Sequence, residues 1–225
     1  MAPCTILIAD DHPLMRAALR QTVAQALPGA LILEAGGFDQ AMEAIASQSG
    51  AIDLILLDLH MPGMNGFIGL FLLRGEYPAI PVIIVSALED PVTVQRALGY
   101  GASGFVPKSA PVDRIAEALR TVLDGGDWFP DLGDPAPPEE SDEPDFAARI
   151  GTLTPQQLRV LAGITAGKLN KQIAFEMAVS EATVKAHVTV ILRKLGLYSR
   201  TQVIIAAGRL VVEAPREEQT GRASG

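Results

Sequence analysis

One short apolar run, residues 52–58, limits the folds open to this chain more than any other stretch. It contains five aliphatic residues and ends on Asp58, and Pro62 and Gly63 break the pattern soon after it. A continuous apolar run of this length predicts a strand buried on both faces and therefore a parallel sheet. Ligands of open parallel sheets bind beyond the carboxyl ends of the strands, where Asp58 stands. A lone Asp also caps loops, so its role depends on the rest of the chain.

Composition narrows the class of protein. The 225 residues, 48% of them hydrophobic, suffice for two modest domains with packed cores. No apolar run approaches the roughly 20 residues of a membrane span, and no secretion signal precedes the first predicted strand. The single cysteine, Cys4, excludes an internal disulfide and a cysteine metal cluster. We therefore expect a cytoplasmic protein with no membrane partner.

Charge is distributed unevenly along the chain. Residues 1–130 carry 7 basic and 14 acidic side chains, residues 131–150 carry 1 and 7, and residues 151–212 carry 8 and 2. The basic part suits a polyanionic partner, which the acidic part does not. Residues 131–145 are rich in Pro, Gly and acids and lack apolar periodicity, which predicts an exposed, disordered linker. This linker is either a spacer or an acidic competitor of nucleic acid for the basic part.

Strands and helices alternate through the first 125 residues. Apolar runs predict strands at 5–9, 31–33, 52–58, 80–86 and 104–108, and helical periodicity predicts helices at 13–27, 38–47, 66–74, 91–100 and 112–123. Five strands alternating with five helices predict an α/β domain with a flavodoxin-like, doubly wound parallel five-stranded sheet.

Polar residues stand at the ends of four of these strands. They are Asp10 and Asp11, Asp58, Ser86 and Lys108. In the strand order 2-1-3-4-5 the first and third strands are neighbours, so three carboxylates converge beside a hydroxyl and an ammonium. Clustered carboxylates need a cation, and an all-oxygen set suits Mg²⁺ better than zinc. A carboxylate beside Mg²⁺ and a lysine is equipped to attack a phosphoryl group.

These residues lie in motifs that resemble the receiver domain of two-component response regulators. The matching stretches are ADDHP at 9–13, LDLHMPGMNG at 57–66, SA at 86–87 and GASGFVPK at 101–108. The resemblance implies that Asp58 accepts a phosphoryl group from a sensor histidine kinase. It also implies that Asp10, Asp11 and Asp58 hold Mg²⁺ together with the backbone carbonyl of His60.

The resemblance further implies that Ser86 and Lys108 bind the phosphoryl oxygens and that Phe105 is a switch aromatic that moves inward with Ser86. Many family members have Thr and Tyr at the last two positions, but a hydroxyl and a ring remain here. Phe105 could also be an ordinary core residue. A phosphatase resembling haloacid dehalogenases needs an acid two residues after its nucleophile, where this chain has His60. We therefore expect a phosphoacceptor and not a turnover enzyme.

The basic part predicts a small all-α, four-helix domain, with helices at 155–166, 171–177, 181–195 and 200–210. Thr154 with Gln157, and Ser199 with Gln202, predict capping boxes, and Asn170 is expected to cap the second of these helices. A three-residue turn joins the second helix to the third, which predicts a helix-turn-helix.

The third of these helices has a core stripe and an outward face. The stripe consists of Val184, Val188, Ile191, Leu192 and Leu195. The outward face is small, polar or basic, which suits entry into a major groove. Residues 152–211 resemble the LuxR-type DNA-binding domain, through LTP at 153–155, NKQIA at 170–174, VSEATVKAHV at 179–188, LRKL at 192–195 and RTQ at 200–202. The whole chain therefore resembles a NarL/FixJ-type response regulator.

This second resemblance implies contacts with double-stranded DNA. Base edges would be met by Lys185, Ala186 and Thr189, and candidates for phosphate contacts are Lys171, Thr183, His187 and Arg200. Helical geometry adds Arg193 and Lys194 to the outward set. Gln157, Arg159 and Gln172 stand where the family commonly has acids, and Thr189 stands where some members have a basic residue.

The last helix is more apolar than one buried face needs. The excess apolar residues either add packing within the domain or form the surface of a homodimer, which would assemble on phosphorylation or DNA binding.

Together these features predict a DNA-binding transcriptional response regulator in which phosphorylation of Asp58 controls dimerisation and DNA binding. The expected boundaries are 1–126 for the receiver domain, 127–150 for an acidic Pro-rich linker, 151–212 for the DNA-binding domain and 213–225 for a polar tail. The alternative is a phosphorylation-independent DNA-binding regulator whose receiver domain is unused or ligand-gated.

Overall fold

The computed structural model describes residues 4–48, 51–131, 143–208 and 210. An α/β domain comes first, and its elements are β1 Thr5–Ala9, α1 Pro13–Ala26, β2 Leu31–Ala35, α2 Phe38–Ser47, β3 Leu54–Leu57, α3 Phe67–Glu76, β4 Val82–Ser86, α4 Pro91–Gly99, β5 Gly104–Pro107 and α5 Val112–Leu123. A helical domain follows, with α6 Glu143–Gly151, α7 Pro155–Thr165, α8 Asn170–Glu176, α9 Glu181–Leu195 and α10 Arg200–Gly208. Within these residues no helix is both long enough and apolar enough to cross a bilayer.

The sheet has five parallel strands in the order β2-β1-β3-β4-β5, which confirms the predicted fold class. The register pairs Ala9 of β1 with Leu57 of β3, and the backbone N–H of Asp58 donates to the carbonyl of Ala9 at 2.9 Å. Ser86 of β4 pairs with Pro107 of β5. The residues that follow these strands therefore start from one edge of the sheet.

The helix α3 is buried on nearly every side. Its buried residues are Phe67, Ile68, Gly69, Leu70, Leu72 and Leu73. A helix that is apolar all round needs cover on more than one face. The helices α7 and α6 pack against α3, and its apolar residues also share a hydrophobic cluster with residues of the sheet. One hydrophobic cluster consequently runs without a break from the sheet through α3 into the helical domain.

Local sequence determines most of the ends of the C-terminal helices. Thr154 and Gln157 form the predicted capping box at the start of α7. Ser180 caps α9 by accepting from the N–H of Thr183 at 3.1 Å, and Gly196 ends α9 with a φ of +70° that suits glycine. The prediction for α8 was wrong by one residue. Leu169 is its N-cap and Asn170 is already helical, because the side chain of Gln172 satisfies the Leu169 N–H at 2.7 Å.

The helix α6 was not predicted from the sequence. It lies at 143–151, within the span assigned to the linker, and it packs on α9 and α3. Phe146, Ala147 and Ile150 are buried there, at the spacing of one helical face. The ordered part of the helical domain therefore begins before residue 151. The rest of the predicted tether, 132–142, and the tail beyond 210 lie outside the described residues.

Candidate functional site

A buried ion-pair cluster stands at the carboxyl edge of the sheet. Lys108, just after β5, places its Nζ 2.8 Å from Asp58 Oδ2 and 2.7 Å from Asp10 Oδ2. Asp10 and Asp58 are each 1% exposed. A buried carboxylate requires a partner of opposite charge, and Lys108 serves two of them at once. The sheet register brings these three residues together although 98 positions separate the first from the last.

The environment of Asp58 keeps its carboxyl group ionised. Burial alone would raise its pKa, but hydrogen bonds from His60 and Lys108 and the charge of Lys108 hold the pKa below its usual value. Burial would likewise lower the pKa of the Lys108 ammonium, whereas hydrogen bonds to Asp10 and Asp58 and the charges of both acids raise it. The pair therefore has a carboxylate and an ammonium in contact at neutral pH, as a nucleophile and a charge-neutralising group require.

Further oxygen donors surround this pair. Ligand atoms of Asp10, Asp11, Asp58 and His12 all lie within 4.8 Å of one another. The ring of His12 is mostly exposed, and its Nδ1 lies 2.6 Å from Asp11 Oδ1. The backbone N–H of His60 donates to Asp58 Oδ1 at 3.2 Å. Three carboxylates at this spacing fit a hard divalent cation with oxygen ligands.

Ser86 and Phe105 complete the predicted set, and both are fully buried. The Ser86 hydroxyl accepts from the Leu88 N–H at 3.1 Å, at the start of the loop that leads into α4. The Phe105 ring belongs to the cluster shared with the helical domain, so it occupies an inward position in this structure. The backbone N–H of Lys108 donates to the Ser86 carbonyl at 2.7 Å, which ties the ends of β4 and β5 together.

The second candidate site is the outward face of α9. Val184, Ile191 and Leu195 are buried and Val188 and Leu192 partly so, which confirms the predicted core stripe. The opposite face is exposed at Ala182, Lys185, Ala186, Thr189 and Arg193. Thr183 and Lys171 are also exposed, and His187 is half-buried. No part of the described α/β domain covers this face, since α9 packs on α6, α7, α8 and α10.

Two of the predicted DNA-contacting cations are engaged inside the helical domain. Lys194 donates to the carbonyl of Thr152 at 2.7 Å and to Gln157 Oε1 at 3.0 Å, which joins α9 to the start of α7. Arg200 donates to Asn170 Oδ1 at 3.1 Å and to the carbonyl of Lys168. Helical periodicity placed Lys194 outward and the family resemblance made Arg200 a phosphate candidate, but neither shows which carbonyls these long side chains can reach.

The contact between the two domains was missed by sequence reasoning. Arg159 of α7 donates through Nε and Nη2 to the two carboxylate oxygens of Glu76 at 2.5 and 2.6 Å. Leu158 packs over Gly75, where an added Cβ would lie 2.9 Å from Leu158 Cδ1. The N–H of Phe67 donates to the carbonyl of Leu210, beyond α10, at 3.0 Å. Two signals were present in the sequence, namely the all-round apolarity of α3 and a basic residue at 159.

Comparison with known proteins gives each domain a family. Residues 6–120 match the model of the response regulator receiver domain, and residues 151–207 match that of the bacterial regulatory proteins of the luxR family.

Relatives match along nearly the whole chain. A glycerol metabolism activator of Pseudomonas putida is 44% identical over 209 residues, which cover 90% of this chain and 94% of the relative. The nitrate/nitrite response regulator protein NarL of Escherichia coli K12 is 32% identical over 205 residues, with the same two coverages. A solved structure of the RcsB response regulator of Salmonella typhimurium gives a TM-score of 0.52 at 20% identity and covers 91% of this chain and 98% of that one. The last likeness concerns the fold alone.

Proposed function

The chain belongs to the response regulators that join a receiver domain to a LuxR-type DNA-binding domain, which are transcriptional regulators and not turnover enzymes, and we propose that Asp58 is its phosphoacceptor. The observation that carries this proposal is the buried Asp58 carboxylate, held ionised by His60 and by Lys108, whose Nζ lies 2.8 Å away. The phosphoryl donor is the phosphohistidine of a sensor histidine kinase. As the Asp58 O–P bond forms, the N–P bond of the donor breaks and the histidine nitrogen keeps the electron pair.

The residues around Asp58 have separate roles in this transfer. The Lys108 ammonium neutralises negative charge on the phosphoryl oxygens, and the Ser86 hydroxyl donates to one of them. Asp10, Asp11, Asp58 and the backbone carbonyl of His60 would hold Mg²⁺. Bound there, Mg²⁺ supplies further positive charge against the phosphoryl oxygens. The carboxylates within 4.8 Å of one another support this assignment.

The DNA-binding domain places α9 in the major groove. Lys185, Ala186 and Thr189 are at the centre of the exposed face and meet base edges. The phosphate contacts come from Lys171, Thr183, His187 and Arg193. Lys194 and Arg200 can contact phosphates only if they break the hydrogen bonds they make inside the domain. We therefore propose that they contribute less to DNA affinity than the other basic residues.

A homodimer on DNA accounts for the apolar surface of α10. Ile204 and Ile205 are 40% and 66% exposed, beside the buried Val203 and Ala207. An isologous contact through this surface would present two copies of α9 to inverted half-sites.

Phosphorylation reaches the DNA-binding domain through α3. The loop that follows Asp58 packs on this helix so closely that a Cβ on Gly69 would lie 2.4 Å from Met64 Sδ. The last residue of α3, Glu76, binds Arg159, and the first, Phe67, donates its N–H to the carbonyl of Leu210. In this closed arrangement, with the two domains in contact, the outward face of α9 and the Ile204 and Ile205 side chains of α10 are exposed. The contact therefore does not block entry of α9 into the groove, and it acts on dimerisation by fixing the position of the chain after α10 through Leu210 and not by covering α10.

The domain boundaries, the location in the cell and the direction of regulation complete the proposal. The receiver domain spans 1–126, the linker 127–150, the DNA-binding domain 151–212 and the tail 213–225, with α6 as an ordered end of the linker. We place the protein in the cytoplasm, where its kinase partner and DNA are both accessible. The relative at 44% identity is described as an activator, so activation of transcription is the direction to test first.

The test replaces Asp58 with Asn in the full-length chain. The variant should take up no phosphoryl group from acetyl phosphate in Mg²⁺ and should show no gain in DNA affinity on that treatment. Asp53→Asn is the matched control, because Asp53 caps the N–H of Thr5 at the opposite end of β3. A gain in affinity that persists in Asp58→Asn would place the switch elsewhere.

A further inference from the structure

The hydroxyl group of Thr189 is engaged within its own helix. Its Oγ1 donates to the carbonyl of Lys185, four residues earlier, at 3.1 Å. Helical threonine has two common rotamers, and Thr189 has the one that permits this bond. Because the hydroxyl proton is used within the helix, the methyl group is the part of the Thr189 side chain that is available to a ligand on the exposed face of α9.

Other methyl groups lie along the same line. Ala182, Ala186 and Thr189 are all exposed, and steps of four and three residues place them one above another on a helix surface. Lys185, beside this line, pairs with Glu181, with 3.0 Å between Nζ and Oε1. The exposed face of α9 therefore presents a short apolar strip with the Lys185 ammonium at its side.

The major groove has one apolar feature that matches such a strip. Thymine carries a C5 methyl group there, which adenine, guanine and cytosine lack. A methyl strip gains free energy against thymine methyls and leaves the donors and acceptors of other bases without partners.

We propose that α9 recognises thymine methyl groups in each DNA half-site through Ala186 and Thr189. This proposal rests on the function proposed above and specifies the DNA sequences that the domain selects. Thr189, which departs from the basic residue of some relatives, is the specificity-determining residue because its hydroxyl is internally satisfied.

The test begins with selection from a random pool of duplex DNA by the full-length chain in Mg²⁺ and acetyl phosphate. Enriched duplexes are then remade with deoxyuridine in place of single thymines, which removes one methyl group and leaves the pairing unchanged. Burial of one methyl-sized group is worth about 0.8 kcal/mol, so each thymine under the strip should lose roughly fourfold in affinity when its methyl is removed. Deoxyuridine at flanking thymines is the internal control.

Two variants assign the effect to Thr189. Thr189→Val keeps a methyl group and loses the hydroxyl, so it should retain the discrimination between thymine and deoxyuridine. Thr189→Ser keeps the hydroxyl and loses the methyl, so the discrimination at one thymine should disappear.

The outcomes are distinct. Enriched half-sites without a central thymine, or equal affinities for thymine and deoxyuridine in the wild type, overturn the methyl-recognition proposal and leave DNA binding intact. Equal discrimination between thymine and deoxyuridine by Thr189→Ser and Thr189→Val overturns the assignment to Thr189. Failure to enrich any sequence overturns the proposed DNA-binding function itself.

Discussion

The ion pair between Glu76 and Arg159 should hold the two domains together, and its removal has a calculable effect. The Glu76 side chain is 8% exposed, whereas that of Arg159 is 52% exposed. Water screens the arginine, so the pair itself resembles a surface ion pair worth about 0.2–1 kcal/mol. Arg159→Gln also leaves a buried carboxylate with a weaker partner, which adds to the loss. We expect about 1 kcal/mol in total, or roughly a fivefold shift from closed toward open molecules.

A double-mutant cycle measures this energy. Wild type, Glu76→Gln, Arg159→Gln and the double variant are compared by urea unfolding, and the coupling energy should be about 1 kcal/mol. The matched control is the cycle of Arg114 with Glu117, an exposed pair within α5 at 2.7 Å. That cycle should give a coupling of about 0.3 kcal/mol. Arg159→Gln should also raise dimerisation of the unphosphorylated protein, which the α5 variants should not.

Equal coupling energies in the two cycles would refute the assignment of a domain-holding role to Arg159. The same conclusion follows if Arg159→Gln dimerises at the concentration at which the wild type does. The charge-reversed pair, Glu76→Arg with Arg159→Glu, provides a second check. It should recover part of the coupling that either reversal alone destroys, because the attraction depends on opposite charge and not on which side supplies it.

Three further predictions concern the receiver domain. Lys108→Met should destabilise the protein by about 3 kcal/mol in urea unfolding, because it leaves buried carboxylates without a cation, and added Mg²⁺ should recover part of that loss. The pKa of Asp58 is lowered, so its ionised form stabilises the native state. Stability should therefore fall as pH drops below about 4, the ordinary range of an Asp carboxyl, toward the lower native pKa, with a shallower fall in Asp58→Asn. Gly69→Ala, whose Cβ would lie 2.6 Å from the Met64 carbonyl oxygen, should lower stability by about 2 kcal/mol. Gly99→Ala, with nothing within 4 Å, should be neutral or stabilising; both glycine variants are measured by urea unfolding.

The sequence was most informative where side-chain periodicity and strand topology decide the structure. Parallel pairing brings Asp10, Asp58 and Lys108 to one edge because each directly follows a strand, so the candidate site was predictable without knowledge of any distance. The core stripe of α9 was predictable for the same kind of reason, since helical geometry fixes which residues share a face.

The sequence was less informative where a contact depends on a distant partner. The apolarity of α3 showed that the helix is covered on all sides, but not that α7 provides the cover. The helix α6 was missed because it follows directly on a Pro-rich acidic stretch and offers only one turn and a half of apolar spacing. Lys194 was assigned to DNA by periodicity and Arg200 by resemblance, whereas their contacts depend on carbonyl groups 42 and 32 residues away.

The double cover of α3 makes opening of this molecule depend on protein concentration. A molecule whose domains separate without a new partner exposes the apolar surface around Phe71 and Leu72, which costs free energy in proportion to its area. Dimerisation of the open form through α10 offsets that cost, because binding of a partner to the open form alone shifts the equilibrium by mass action. The fraction of open molecules at a given level of phosphorylation should therefore rise with the number of copies in the cell.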